Sequence, residues 1–341
     1  MTRLPVCTTP LDSFSLYSSD EVRNVIISMP DKSCSLDPLP MSVLKEFLPE
    51  LLPILTEMCN CSLREGFLPL NQRHAIVIPN LKKVGADPSD VCNYRPISNL
   101  SFVSKLVERL VSLQLTAFLD QHGLLPRHQS GFRKKQSTET ALLKVLADIL
   151  AAVDRGNITL LGLLDMSAAF DTVDHQILLH RLEVSFGLHG SVLSWLRSFL
   201  SSRTQQVIVN GSSSVITPVT SGVPQGSVLG PLLFILYIAD ISVIASDHNI
   251  DVHCYADDAQ LYVFQRAVAA DVAVFNISAC IKDIDIWMHT NRLKLNSDKT
   301  QFIWFGTRQQ LTLVRPGPID LGGGSIELQD TVSDLGMTLD S

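Results

Sequence analysis

Two adjacent carboxylates, Asp257 and Asp258, lie in the stretch His253-Cys-Tyr-Ala-Asp-Asp-Ala-Gln-Leu-Tyr262, between two runs whose alternating apolar residues read as strands. That spacing puts the pair at the tip of a tight hairpin. Two carboxylates held there repel each other, and divalent cations relieve the repulsion, which is the chemistry of a two-metal phosphoryl-transfer site. An Asp-Asp pair in a turn is also ordinary solvated turn chemistry, so the dipeptide alone selects neither reading. A third acid, Asp165, stands at the C-terminal end of Ile158–Leu164, a continuous apolar run of the kind a strand buried on both faces carries. Asp165 there could simply cap a following helix. The small residues after it, Ser167-Ala-Ala169, let something approach the backbone, and Phe170 can bound what approaches.

A second candidate region is Gln129-Ser-Gly-Phe132-Arg133-Lys134-Lys135, a glycine turn with three consecutive cations ahead of a helical pattern through Leu142, Val145, Leu146, Ile149 and Val153. Cations beside a helix start are a way to hold a triphosphate, and equally an ordinary solvated face. The Gly/Pro loop from Ser221 to Pro231 matches neither a P-loop nor a dinucleotide fingerprint; it offers exposed backbone and one amide side chain, Gln225, beside Gly226. Lys299 falls between two strand-like runs in the segment Asn291 to Phe305.

The elements that must position these residues read as mixed helix and strand. Ser18-x-x-Glu21 is a capping box before Val22, Val25 and Ile26, and a second helical pattern follows that Pro49 and Pro53 should interrupt. Ala75 to Pro79 reads as a short strand and the next segment as a loop to Tyr94. Apolar residues from Phe102 to Leu113 repeat at helical spacing, with Lys105, Glu108 and Arg109 on the other side. Helices are expected at about 176–186, 191–200 and 270–288, and Asn210-Gly211 marks a hairpin turn.

Bulk properties narrow the class. A chain of 341 residues with 46% hydrophobic content can bury a core, which excludes disorder as the default. The net charge of -7 hides an uneven spread: residues 62–135 carry a net +6, while the flanks carry -4 and -9. A basic segment beside an acidic one suits a polyanion groove next to a carboxylate cluster, and a charge asymmetry without function is the bland alternative. The N-terminus has no signal-peptide pattern. The apolar stretch Val228–Ala245 contains Gly230-Pro231 and Asp240, so it reads as a buried core helix, with no membrane. Seven cysteines without C-x-x-C spacing indicate neither zinc nor a disulfide framework; the expectation is a reduced, intracellular chain, nucleus or cytoplasm not resolved.

Six motifs in order, Tyr94-Arg-Pro-Ile-Ser98, Gln129-Ser-Gly-Phe-Arg133, Leu164-Asp-Met-Ser-Ala-Ala-Phe-Asp171, Gly222-Val-Pro-Gln-Gly-Ser-Val-Leu-Gly-Pro231, Tyr255-Ala-Asp-Asp258 and Leu293-Lys-Leu-Asn-Ser-Asp-Lys299, resemble the reverse transcriptase domain of LINE-type (non-LTR) retrotransposons. The resemblance implies an α+β right-hand polymerase fold, an antiparallel palm sheet backed by helices plus fingers. It implies a helical N-terminal extension over 1–62 and a reverse transcriptase domain over 63–341, with fingers about 63–157 and palm about 158–341. The activity implied is RNA-directed DNA polymerisation, which joins dNTPs to a primer 3'-hydroxyl. The implied partners are an RNA template, a DNA primer and dNTPs; protein partners are unknown.

Carried over residue by residue, the resemblance makes Asp165, Asp257 and Asp258 ligands of two Mg2+ ions, with Mn2+ as a substitute. It places Arg133 on the incoming triphosphate and Phe170 over the sugar as a gate against a 2'-hydroxyl. Gln225 and Gly226 become the loop touching template and nucleotide, and Lys299 the proton donor to pyrophosphate. The upstream endonuclease of many LINE proteins is not in this sequence. The chain is also expected to stop before the thumb, leaving it largely missing, so primer-template would be held poorly. Two other readings follow: a thumbless, non-catalytic remnant that only binds nucleic acid, and an RNA-dependent RNA polymerase, against which Phe170 and Tyr255-Ala-Asp-Asp258 argue.

Overall fold

Ile158–Leu164 does form a strand buried almost end to end, and the computed structural model, which describes residues 4, 6–32, 34–314, 317–321 and 324–341, pairs it on both edges. In chain order the strands are β1 (His74–Leu81), β2 (Tyr94–Asn99), β3 (Ile158–Leu164), β4 (Arg203–Val209), β5 (Ser212–Ser213), β6 (Thr217–Val219), β7 (Asp251–Tyr255), β8 (Asp258–Gln265), β9 (Gln301–Phe305), β10 (Ile319–Asp320), β11 (Ser325–Ile326), β12 (Thr331–Asp334) and β13 (Met337–Asp340). The helices are α1 (Ser19–Ser28), α2 (Met41–Glu46), α3 (Leu48–Glu65), α4 (Phe102–Gln121), α5 (Thr138–Asp154), α6 (His175–Val184), α7 (Gly190–Leu200), α8 (Gly230–Tyr237), α9 (Asp240–Asp247), α10 (Ala270–Thr290) and α11 (Arg308–Leu311). The fold class is α+β. The chain packs as two units, Pro5–Leu124 with Val173–Phe234, and Met1–Leu4 and Leu125–Thr172 with Ile235–Ser341.

In the first unit β1 pairs antiparallel with β2 and parallel with β4, and β5 and β6 extend from β4. The stretch read as a loop to Tyr94 ends in a strand, because β2 lies at the sheet edge, where Pro96 can do without its N–H. Asn210 and Gly211 both have left-handed φ, 49° and 80°, which a two-residue hairpin turn needs. The Ser18 and Glu21 capping box closes in both directions at the start of α1. The expected double interruption by proline occurs once. The helices part at Phe47, Pro49 sits in the first turn of α3, and Pro53 lies inside that helix without ending it. Its lost hydrogen bond and ring clash cost about 3 kcal/mol, offset by the buried face of Leu55, Cys59 and Leu63.

Glu108 departs most from expectation. It is fully buried rather than on the solvent side of α4, and its carboxylate accepts from Val228 N (2.8 Å), Leu229 N (3.1 Å) and the Ser104 hydroxyl (3.2 Å). It thus satisfies N–H groups at the start of α8, where Ser227 Oγ accepts from Gly230 N at 2.9 Å. Burial raises its carboxyl above the usual range, against the pull of Arg203 and of these donors.

In the second unit the sheet order is β7-β8-β3-β9, antiparallel throughout. Leu161 lies opposite both Tyr262 and Ile303, and these three form a core with Leu142, Val145 and Ile149 of α5 and with Val332 and Leu339 of the β12–β13 hairpin. Alternate residues face the other way, where α10 packs on β8 with Ala273, Ile277 and Ile281 buried. Gly162 leaves room for Phe302, whose ring would stand 2.5 Å from an added Cβ. Of the two strand-like runs expected around Lys299 only β9 forms, because Asn296 to Thr300 closes a turn in which the Lys299 and Thr300 N–H groups donate to Asn296 O. The apolar stretch Gly230–Asp247, with a mean hydropathy of 1.6, is long and apolar enough to cross a membrane, yet two thirds of it is buried inside the protein. It forms two helices, and Asp240 at their junction is buried, accepting from Trp287 Nε1 at 3.1 Å and Leu4 N at 3.0 Å.

Glu108→Ala strands the backbone N–H of Leu229, which is buried, and that of Val228, which is partly so, and it should lower unfolding free energy by about 3 kcal/mol. Urea denaturation of the variant beside Glu108→Gln checks this, and the amide should cost less because it still accepts.

Candidate active site

Antiparallel pairing of β7 with β8 sets Tyr255 opposite Asp258, which leaves Ala256 and Asp257 as the turn. Ala256 has a left-handed φ of 57°, unusual for a residue with a side chain. Asp258 is therefore the first residue of β8, and Asp257 sits at the tip. On the neighbouring strand Leu164 pairs with Ala259, so one further step along the same register carries Asp165 to Asp258. Asp165 and the Asp257-Asp258 pair, far apart in sequence, thus come to one end of one sheet.

Asp165 is held from below by the turn that follows α10. Asn296 Nδ2 donates to Asp165 Oδ2 at 2.8 Å, and Asn296 N donates to Asp165 O at 2.9 Å. The exposed Lys299 ammonium lies 3.5 Å from the same carboxylate oxygen. Asp258 is pushed up to about 7, first by burial of its surroundings and then by the charges of Asp257, Asp165 and Asp334, with Lys299 pulling the other way. Its own side chain still reaches solvent, so water screens part of that repulsion. Asp334 on β12 is a fourth acid nearby; buried and raised by that burial, it accepts from Gln260 Nε2 at 2.7 and 2.8 Å.

The donors suit a hard cation in kind, since all are carboxylate oxygens. Among the described residues no three His, Cys, Asp or Glu side chains are gathered closely enough to chelate a metal ion alone. Mg2+ does not need such a cage. It keeps several waters and binds through one or two carboxylates plus substrate phosphates. The concentration of like charge around Asp258 is what a bound cation would relieve.

The same unit carries Phe170 and Arg133. Phe170 is half-buried in the turn after Asp165, and its ring meets Phe132 edge-on, with centroids 6.1 Å apart at 84°. Phe132 is exposed and has a left-handed φ of 59°. Arg133 is half-buried and donates from Nη1 to Pro126 O at 2.9 Å, while Lys134 and Lys135 are exposed. Gln225 and Gly226 belong to the other unit. There Ser98 N donates to Gln225 O at 2.6 Å, and Gly226 has φ 110° with Ser98 O only 2.6 Å from an added Cβ, so the loop rests on β2 where glycine alone fits. A cavity of about 620 Å³ in that unit is lined by Lys32, Lys105 and Arg109 together with Gly226–Val228.

Sequence reasoning missed Asn296, Gln129 and Glu108. Asn296 and Gln129 stand inside quoted motifs but have no chemistry of their own to flag them. Glu108 reads as the polar face of an amphipathic helix.

Residues 81–339 match the family described as reverse transcriptase (RNA-dependent DNA polymerase). The chain is 30% identical over 337 residues to the RNA-directed DNA polymerase from mobile element jockey of Drosophila melanogaster, covering 97% of this chain and 36% of that protein. It is 32% identical over 327 residues to the probable RNA-directed DNA polymerase from transposon BS of the same fly, covering 94% and 35%. A match at 32% over 222 residues to the transposon TX1 uncharacterized 149 kDa protein of Xenopus laevis covers 64% and 16%. The chain spans about a third of the length of the two fly proteins.

The raised carboxyl of Asp258 sets a pH dependence. Folded, it titrates at about 7 against an ordinary 3.8, so between these values the folded state holds the extra proton. The contribution of Asp258 to the stability of the metal-free protein therefore falls as pH rises from about 4 through about 7. Asp258→Asn should remove that fall and gain on wild type across the interval, read from urea midpoints in EDTA at pH 4.5 and 8. Parallel profiles for the two proteins would show that no such repulsion exists.

Proposed function

Since this chain belongs to the reverse transcriptase (RNA-dependent DNA polymerase) family, in its LINE-type, non-LTR branch, we propose that it is the RNA-directed DNA polymerase domain of a non-LTR retrotransposon. The observation that carries this reading is the register of β3 on β8, which takes Asp165 to the Asp257-Asp258 turn. On this reading β7-β8-β3-β9 is the palm sheet, residues 1–62 are an N-terminal extension, 63–157 the fingers and 158–341 the palm. The packing units do not follow those linear bounds, because α5 packs on the sheet.

The reaction proposed is attack of a primer 3'-oxygen on the α-phosphorus of a dNTP, forming one P–O bond and breaking the bond to the β-phosphate. Asp165, Asp257 and Asp258 would hold two Mg2+ ions, with Mn2+ able to stand in. When bound there, the ions supply a lowered pKa at the 3'-hydroxyl and neutralise charge on the departing pyrophosphate. Asn296 keeps the Asp165 carboxylate oriented through its 2.8 Å hydrogen bond. Lys299, already beside Asp165, can pass its proton to pyrophosphate as it leaves. Arg133 would take the triphosphate, and the Phe132 edge on Phe170 stiffens the ring that would exclude a 2'-hydroxyl. Gln225 and Gly226 would contact template and incoming nucleotide. The net +6 of residues 62–135 supports a polyanionic partner.

Primer extension on an RNA template with Mg2+ tests the proposal. Asp257→Asn should lose several kcal/mol of transition-state stabilisation, on the order of a thousandfold in rate. An unchanged rate would remove the two-metal assignment, and RNA binding without incorporation by wild type would favour a binding-only domain. Phe170→Ala should cut discrimination between dNTP and rNTP by roughly tenfold or more, measured as the ratio of kcat/KM values. Equal use of both sugars by wild type would overturn the gate.

A further inference from the structure

We propose that Gln129 is a positioning residue that holds the peptide leading into Asp257, and that through it the loop bearing Phe132 and Arg133 is fastened to the Asp257-Asp258 turn. This rests on the polymerase reading for its consequence, though not for its geometry. β7 is the edge strand of its sheet, and His128 to Ser130 lies along it as a parallel bridge, with Gln129 opposite Cys254. Cys254 N donates to His128 O at 2.6 Å, Ser130 N donates to Cys254 O at 2.9 Å, and Ser130 Oγ pairs with His253 Nε2 at 2.9 Å. At Ala256 the backbone turns left-handed and strand pairing can no longer follow it. The Gln129 side chain takes over there. Its Oε1 accepts from Ala256 N at 2.9 Å and from Gly131 N at 2.8 Å, and its Nε2 donates to Ala256 O at 3.1 Å.

One buried amide thus engages both polar groups of Ala256, and the carbonyl it holds belongs to the peptide bond that begins Asp257. The approach is tight enough that a Cβ on Gly131 would collide with the Ala256 backbone, so the glycine two residues on is part of the same device. Phe132 and Arg133 follow immediately. A shift of the Ala256 peptide would therefore move a proposed metal ligand and the proposed nucleotide contacts together, whereas a structural glutamine alone would affect folding and not chemistry.

The test is Gln129→Met, similar in length and without hydrogen bonds, in the full chain beside wild type. Expected is a fall in kcat of about ten- to a hundredfold, the scale seen when partners behind metal ligands are removed, together with a rise in the dNTP KM because Phe132 and Arg133 move as well. Mn2+ affinity, read by electron paramagnetic resonance without nucleic acid, should weaken about tenfold. Wild-type kcat together with wild-type Mn2+ affinity would overturn the proposal. Should Gln129→Met fail to fold, Gln129→Asn decides, since its amide is one methylene too short to hold Ala256: unchanged kcat and Mn2+ affinity overturn, and a fall in both supports. If wild type extends no primer, the polymerase reading fails by itself and the Mn2+ comparison alone judges Gln129.

Discussion

The register of β3 between β8 and β9 is the constraint on which the site depends. Side chains alternate faces along a strand, so a slip of one residue would turn Leu161 away from Tyr262 and Ile303 and bury the wrong set. The same slip would carry Asp165 out of step with Asp258. The core on the α5 side and the meeting of the acids are thus one choice made once. Gly162 contributes by leaving the space that the ring of its paired residue Phe302 fills, where an added Cβ would collide with it.

Placing like charges together costs stability, and the protein shows where that cost is met and where it is left. Buried acids are supplied with donors: away from the sheet end Glu108 has two backbone N–H groups and a hydroxyl and Asp240 an indole and a backbone N–H, and close to it Asp334 has an amide. At the sheet end Asp165 has Asn296 and Lys299, while Asp258 faces three other carboxylates and only Lys299 pulls its titration down. The like charge gathered around Asp258 is what a bound cation would relieve.

Much of this was legible in the sequence. The period-two patterns around Asp257-Asp258 gave away the hairpin, and the uninterrupted apolar run before Asp165 a strand paired on both sides. Capping chemistry at Ser18 and the Asn210-Gly211 turn are local, and local rules suffice for them. What stayed hidden depends on partners distant in the chain. Glu108 obeys the helical pattern of a solvent-facing residue until the start of α8 arrives to use it. Tyr94–Asn99 is a strand only because β1 offers an edge that tolerates Pro96, and Pro53 survives only because α3 has a face to bury. Asn296 gains its meaning from an oxygen more than a hundred residues away.

The left-handed residues join these observations. Ala256 and Phe132 both carry side chains in a backbone conformation that disfavours them, one in the acidic turn and the other in the loop beside it. Such conformations persist where surrounding bonds over-determine them. Here those bonds run between the two segments themselves, through Gln129 and the Cys254 backbone, and Phe132 then leans on Phe170 in the turn after Asp165. Three segments whose acids or aromatics the chemistry would use are therefore in contact with one another, through Gln129, the Cys254 backbone and the Phe132–Phe170 ring pair.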